Sequence, residues 1–178
     1  MGPAIRTAAK WGFIIGIVNL VWLYLAYYLG LHTNGIVVFQ IFIAAWVALT
    51  FVGFVLALRS VKRPSPSVGY LGGLAAGAVA ALVSALVAVL AQIGYFRMVH
   101  PEWPQVMEAQ TRDPFTAQGL TPEDVEQRVA QAREYFTLSN YATSSAMAAL
   151  LLGIVLSAVI LLFLRRRSIV GPNVVLAN

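Results

Sequence analysis

The chain has 178 residues, 60% of them hydrophobic and only 11% charged, with a net charge of +5. An ordinary soluble domain is about 25% charged, so this composition cannot cover a water-facing surface and calls for lipid around it. The absence of cysteine excludes disulfides, thiolate catalysis and sulfur-ligated metals.

Four apolar runs follow in chain order. The first covers about 11–31 and is interrupted by Asn19; the second covers about 36–58, with Gln40 and Thr50 as its polar members. The third covers about 69–96, with Ser84 and Gln92, and the fourth about 141–164. None contains Asp, Glu, Lys, Arg, His or Pro. About 20 apolar residues cross a hydrocarbon core of about 30 Å, and backbone groups in lipid must bond within their own segment. The expected fold is therefore all-α. It is a polytopic membrane protein, a bundle of four transmembrane helices forming a single membrane domain over 1–178, with an extracytoplasmic helical insertion between spans three and four.

Basic residues set the expected orientation. Arg6, Lys10, Arg59, Lys62, Arg63, Arg165, Arg166 and Arg167 fall on one side of a four-span arrangement. Arg97, Arg112, Arg128 and Arg133 fall on the other, in the 97–140 loop. That loop also holds all seven carboxylates, which leaves it with a net charge of −3. Both termini, including the 165–178 tail, are thus expected in the cytoplasm, with the chain in a bacterial inner membrane. The basic excess reflects topology, and no nucleic-acid partner is expected.

Within the loop, His100-Pro101-Glu102-Trp103-Pro104 should stop the third span, and Asp113-Pro114 and Gln118-Gly119 read as turns. Thr121-Pro122-Glu123-Asp124 has the features of a helix start: a capping hydroxyl, proline at the first position and acids at the positive dipole end. Val125, Val129, Ala132 and Phe136 then give an amphipathic helix over about 122–137, which bends near Thr137–Asn140 into the fourth span. Its apolar face could cap the bundle, lie on lipid or hold a partner.

Small residues predict how the spans pack, because helices in lipid associate where their backbones can approach. Gly69, Gly73, Gly77, Ala81 and Ala85 recur every four residues in span three, beside a second lane of Gly72, Ala76, Ala80, Ser84 and Ala88. Span four has Ser145, Ala149, Gly153 and Ser157, and span one has Gly12 and Gly16. Spans three and four are expected to meet along these stripes, within one chain or as the seam of a homo-oligomer. Asn19 is expected to hydrogen-bond across helices, and Trp46, mid-span, reads as a packing residue.

Chemistry is sparse. Catalysis or transport in a membrane draws on ionisable groups at depth, and the four runs have none. His32, His100 and Glu102, near one interface, are the only candidate metal ligands; imidazole and carboxylate suit zinc or copper. The competing reading is two unrelated interface histidines, and no metal or other cofactor is expected. Neither histidine shares a span with a candidate serine, so no Ser–His–Asp grouping arises.

The pattern as a whole resembles the bacterial domain-of-unknown-function family 4199, small membrane proteins common in Bacteroidetes. The resemblance runs from Ala8 to Arg167. It rests on Trp11-Gly12-Phe13-Ile14-Ile15-Gly16, on Leu29-Gly30-Leu31-His32-Thr33 and on Ala57-Leu58-Arg59. Pro101-Glu102-Trp103 stands where similar proteins show Pro-Asp and an aromatic, and Tyr135–Tyr141, Gly153 and Arg165-Arg166-Arg167 complete the set. The Pro64-Ser65-Pro66-Ser67 loop is shorter than in similar proteins. The resemblance implies the four-span topology and no catalytic residue or cofactor.

Three functions compete on this basis. An accessory or structural component would act through its outer loop on another membrane or periplasmic protein, with membrane lipid as its other partner. A small homo-oligomeric transporter or channel would pass a neutral or lipid-like solute. A membrane enzyme would have to use His32, His100 and Glu102. The uncharged spans favour the first, and no enzyme is expected.

Overall fold

The computed structural model describes residues 2–31, 36–64 and 68–166, with backbone alone for 36–39, 165 and 166. Its elements are α1 (Pro3–Tyr28), α2 (Ile36–Lys62), α3 (Tyr70–Met98), α4 (Trp103–Ala117), α5 (Pro122–Tyr135) and α6 (Leu138–Arg166). The described residues contain no strand. Helices α1, α2, α3 and α6 are each long and apolar enough to cross a membrane, so the chain is a multi-pass helical membrane protein. Successive spans run in opposite directions, which sets α4 and α5 at the end of the bundle opposite Arg6, Lys10 and Arg59.

Each span overruns its apolar run at one end or both, by eight residues at the start of α1 and by two to four in the others, because hydrogen bonding continues past the lipid. Helix α1 starts at Pro3, where proline's fixed φ suits the first position and its missing N–H costs nothing. It ends at Tyr28, and just beyond it Gly30, with a φ of +70°, sits in the left-handed region. Gly30 N–H donates to the Tyr27 carbonyl and Leu31 N–H to that of Ala26, both at 2.9 Å. This pair of bonds terminates the helix and satisfies two carbonyls that would otherwise face an apolar environment.

Helix α3 is the centre of the bundle and packs on α1, α2 and α6. Apart from Ser84 and Gln92 it is apolar from Tyr70 to Phe96, so hydropathy does not distinguish its faces. Size does. Leu82, Leu86 and Leu90, one turn apart, are exposed on the lipid side. Gly73, Ala76, Gly77, Ala80, Ala81, Ser84 and Ala85 are buried. One small lane receives α6: a Cβ on Gly73 would lie 2.7 Å from Leu161, a Cβ on Gly77 2.5 Å from that of Ser157, and a Cβ on Gly153 2.6 Å from that of Ala81. The other lane receives α1, where Gly12 sits against the backbone of Ala80 and Gly16 against Val87. Gly73, Gly77, Ala81, Gly153 and Ser157 are therefore used for packing within the chain, whereas Gly72 is exposed and Ser145 and Ala149, expected on the same stripe, line a cavity instead. Gly69 is an exception and corrects the expected stripe: it caps α3 in extended backbone, off the helical face, and a Cβ there would meet nothing within 4 Å.

The terminal half of the core joins Ile15, Phe54, Leu58, Val61, Ala76, Ala80 and Leu161. Polar groups inside the spans are mostly satisfied locally. Ser157 Oγ, fully buried, donates to the Gly153 carbonyl at 2.7 Å, which spares lipid or protein an unpaired hydroxyl. Asn19 Nδ2 donates to Thr50 Oγ1 at 3.2 Å, joining α1 to α2. Trp22 adds a second link, its Nε1 donating to the Phe42 carbonyl at 3.2 Å and its ring stacked on the Phe42 ring.

Candidate functional site: the helical cap and the cavity beneath it

The region between spans three and four is a helical hairpin. The sequence reading of Asp113-Pro114 as a turn is corrected: Pro114 lies inside α4. It falls in the last turn, where the bond its missing N–H forfeits is one of few remaining. Pro104 likewise both ends the approach from α3 and sits in the first turn of α4, where proline is tolerated. The signal overlooked was the spacing of Trp103, Val106 and Met107 with Phe115 across a stretch free of glycine. Gln118-Gly119 does turn, with Gly119 at φ +74° and the same pair of terminal bonds as at Gly30. Helix α5 begins as read, Thr121 Oγ1 accepting the Asp124 N–H at 3.2 Å. It ends at Tyr135, and the chain bends at Phe136-Thr137 into α6.

The apolar face of α5 is divided: its last member, Phe136, packs on Tyr141 at the end of the bundle, as a cap would, while the rest takes none of the three fates considered. Val125 and Val129 are buried, and the helix they lie on packs chiefly against α4. The segment read as a loop is what covers that face. Two ion-pair clusters lock the hairpin. Arg112 is paired with both oxygens of Glu126, and Arg133 holds Glu108 at 2.6 and 3.0 Å. Arg128 also lies 4.9 Å from the Phe115 ring centre. The arginines hold the Glu108 and Glu126 carboxyls below the usual carboxylate range, mainly through these hydrogen bonds. Because the folded values are lowered, this stabilisation is present above the ordinary glutamate pKa of about 4.3 and disappears as pH falls through the lowered values. The hairpin is therefore expected to keep its protease resistance from pH 8 to 5 as far as these pairs are concerned. It should lose part of it near pH 4, and Glu108→Gln should reproduce that partial loss at pH 7.

An aromatic cluster seats the hairpin on the spans. Trp103, only 1% exposed, lies 5.7 Å from Phe96, 5.9 Å from Tyr141 and 6.3 Å from Phe136 by ring centres. Tyr95, fully buried, adds edge contacts to Tyr24, Tyr27 and Phe96. His100, placed by sequence at the surface, is instead 4% exposed among Tyr27, Tyr95 and Trp103. Both its ring nitrogens lack hydrogen-bond partners. Burial pushes its pKa below the usual value, and Glu102 opposes this only in part. The folded chain thus disfavours the imidazolium, and stability is expected to fall as pH drops below about 6.5, until the lowered folded value is passed. Thermal unfolding between pH 7.5 and 5.5 should show that slope, and His100→Phe should flatten it.

The candidate metal ligands do not form a site among the described residues. His100 is enclosed, Glu102 is exposed and His32 lies outside the described residues; no group of three His or carboxylate side chains occurs among those described.

Beneath the aromatic cap, α2 and α6 diverge. Close to the termini they meet through Phe54 and Gly153; towards the cap they leave a cavity of about 340 Å³ between them. Phe42, Ile43 and Trp46 line it from α2, and Ser144, Ser145, Ala148 and Ala149 from α6, under Tyr135, Phe136 and Tyr141. A smaller chamber of about 50 Å³ adjoins it, reaching Asn19 and Ala91 and sharing Leu23, Phe42, Trp46, Ala88 and Gln92 with the first. Trp46, read as packing, therefore forms a cavity wall. Gln92, a polar member of the third apolar run, has its Oε1 shut off from solvent without a partner, as has Asn19 Oδ1. Burial of one amide side of each residue could not be read from the sequence, because it depends on how far α2 and α6 splay.

No curated protein and no solved structure matches the chain. The family model described as "Protein of unknown function (DUF4199)" matches residues 10–166. That span takes in all four membrane helices, the ion-paired hairpin and the cavity, and on it the chain belongs to the DUF4199 family.

Proposed function

We propose that the protein is an accessory component of the bacterial inner membrane that presents its α4–α5 hairpin to another membrane or periplasmic protein. The observation that supports this is the hairpin's self-sufficiency. It has its own apolar interior at Val125 and Val129, its own ion-pair locks and a fixed aromatic seat. A connection that only returned the chain to the membrane would need none of these. Two of the seven carboxylates are taken up by arginines, and Glu102, Asp113, Glu123, Asp124 and Glu134 remain exposed. The surface offered is therefore rigid and acidic, suited to a basic partner face.

In this reading the termini lie in the cytoplasm and the hairpin outside, following the basic residues. The chain contains no cysteine, so a single cysteine at Gln118 gives a clean test. Labelling by a membrane-impermeant maleimide in intact spheroplasts supports the orientation; labelling only after lysis overturns it. The function is tested by gentle solubilisation and mass spectrometry of the wild type beside a variant with Asp113→Lys, Glu123→Lys and Glu134→Lys. A stoichiometric companion lost from the variant is expected. A protein that purifies alone, or a companion indifferent to the charge reversal, rules this reading out. The cavity under the cap favours the competing reading, a small homo-oligomeric carrier of a neutral or lipid-like solute; reconstituted protein that moves such a solute would establish it.

A further inference from the structure

Two side chains on the wall of the smaller chamber each carry a solvent-excluded amide oxygen with no partner, and no other unpartnered buried side-chain atom occurs among the described span residues. The Asn19 and Gln92 side chains both line the smaller chamber, and neither Asn19 Oδ1 nor Gln92 Oε1 has a hydrogen-bond partner. A buried carbonyl left unpaired costs a fold about 1–3 kcal/mol, and lipid offers no water to relieve it. We propose that these chambers form a binding site for an uncharged amphiphile, whose hydroxyl or amide group donates to Asn19 Oδ1 and Gln92 Oε1 and whose apolar chain fills the larger chamber.

Three features of the site specify that chemistry. The unpaired atoms are acceptors, so the ligand must donate. No lining residue of either chamber is charged, and an ion without a counter-charge at this depth is strongly disfavoured, so the donor is neutral. The sizes divide the ligand in two. About 50 Å³ admits one small polar group, given that a water molecule occupies about 30 Å³. About 340 Å³ lined by Phe42, Ile43, Trp46 and Ala149 admits an apolar chain and falls within the usual range for ligand sites, about 300–1,000 Å³. A water molecule in the small chamber would satisfy the acceptors but would leave the larger one without an occupant suited to its walls. The hairpin contributes through Tyr135 and Phe136, which roof the larger chamber. The proposal does not require the hairpin to have a partner.

The test uses the full chain in phosphatidylcholine nanodiscs with 11-bromo-1-undecanol as probe and tryptophan fluorescence as readout. Bromine quenches on contact, and Trp46 lines both chambers, whereas Trp11, Trp22 and Trp103 line neither. A saturable quenching component is expected that disappears in Trp46→Phe and does not occur with 1-bromoundecane. The combined change Asn19→Leu and Gln92→Met should raise the half-saturating concentration about tenfold, the effect of losing two ordinary hydrogen bonds. Thr50→Val, which breaks the Asn19–Thr50 bond but leaves both acceptors in place, should not change it. Ala149→Phe, which fills the larger chamber without touching either amide, should abolish saturation. If the combined variant does not fold, Gln92→Met alone should give a smaller shift in the same direction. Linear quenching, equal for alcohol and alkyl bromide, overturns the proposal, as does saturable quenching that the amide substitutions leave unchanged.

Discussion

Trp103→Ala is expected to release the α4–α5 hairpin from the bundle while leaving the four spans folded. Trp103 is the largest fully buried side chain described and touches Phe96, Phe136, His100 and Tyr141 at once. Truncating a buried Trp to Ala costs about 3–5 kcal/mol, the transfer term plus the cavity it leaves. Direct packing between α5 and α6 is sparse, so little else holds the hairpin down. Limited trypsin digestion reads the result at Arg112, Arg128 and Arg133: the wild type should resist cleavage there and the variant should be cut at least tenfold faster. Trp103→Phe, which keeps an aromatic plate in the same place, should fall between the two. Equal cleavage of all three proteins would mean that the ion pairs alone hold the hairpin.

Gly12→Ala should be the most damaging of the glycine-to-alanine changes, although it adds one methyl group. Its Cβ would meet the carbonyl oxygen of Ala80 and lie 2.9 Å from the Ala80 Cα. Backbone within a helix cannot step aside, so α1 and α3 must separate along their whole contact. Overpacking of this kind costs about 1–3 kcal/mol. Gly73→Ala should cost less, because the atom it meets is the flexible end of Leu161. Gly94→Ala meets nothing within 4 Å and should leave thermal unfolding unchanged, or raise the midpoint slightly by favouring the helix. The ranking Gly12, then Gly73, then Gly94, measured by unfolding in one detergent, tests the packing more sharply than any single value.

The functional reading depends on the cap and the cavity, and these were legible in the sequence to different degrees. Thr121-Pro122-Glu123-Asp124 announced α5 because cap, proline and dipole charges all act locally. Helix α4 was hidden because its two prolines carry opposite meanings by position, permissive in a first or last turn and disruptive between. His100 was misplaced because its burial is created by Tyr27 from α1 and Trp103 from α4, which no local pattern connects to it.

The sequence alone determined the four spans, since twenty uncharged apolar residues have no stable place but a hydrocarbon core. It also determined which faces of α3 would be covered, through the period-four spacing of Gly73, Gly77 and Ala81, because close approach in lipid requires small residues. Only the tertiary structure decided that α5 lies on α4 rather than on the bundle, and that α2 and α6 part towards the cap. Both depend on distances between segments far apart in the chain. The sequence specifies each surface, but which surface meets which is settled by the summed packing of the whole bundle.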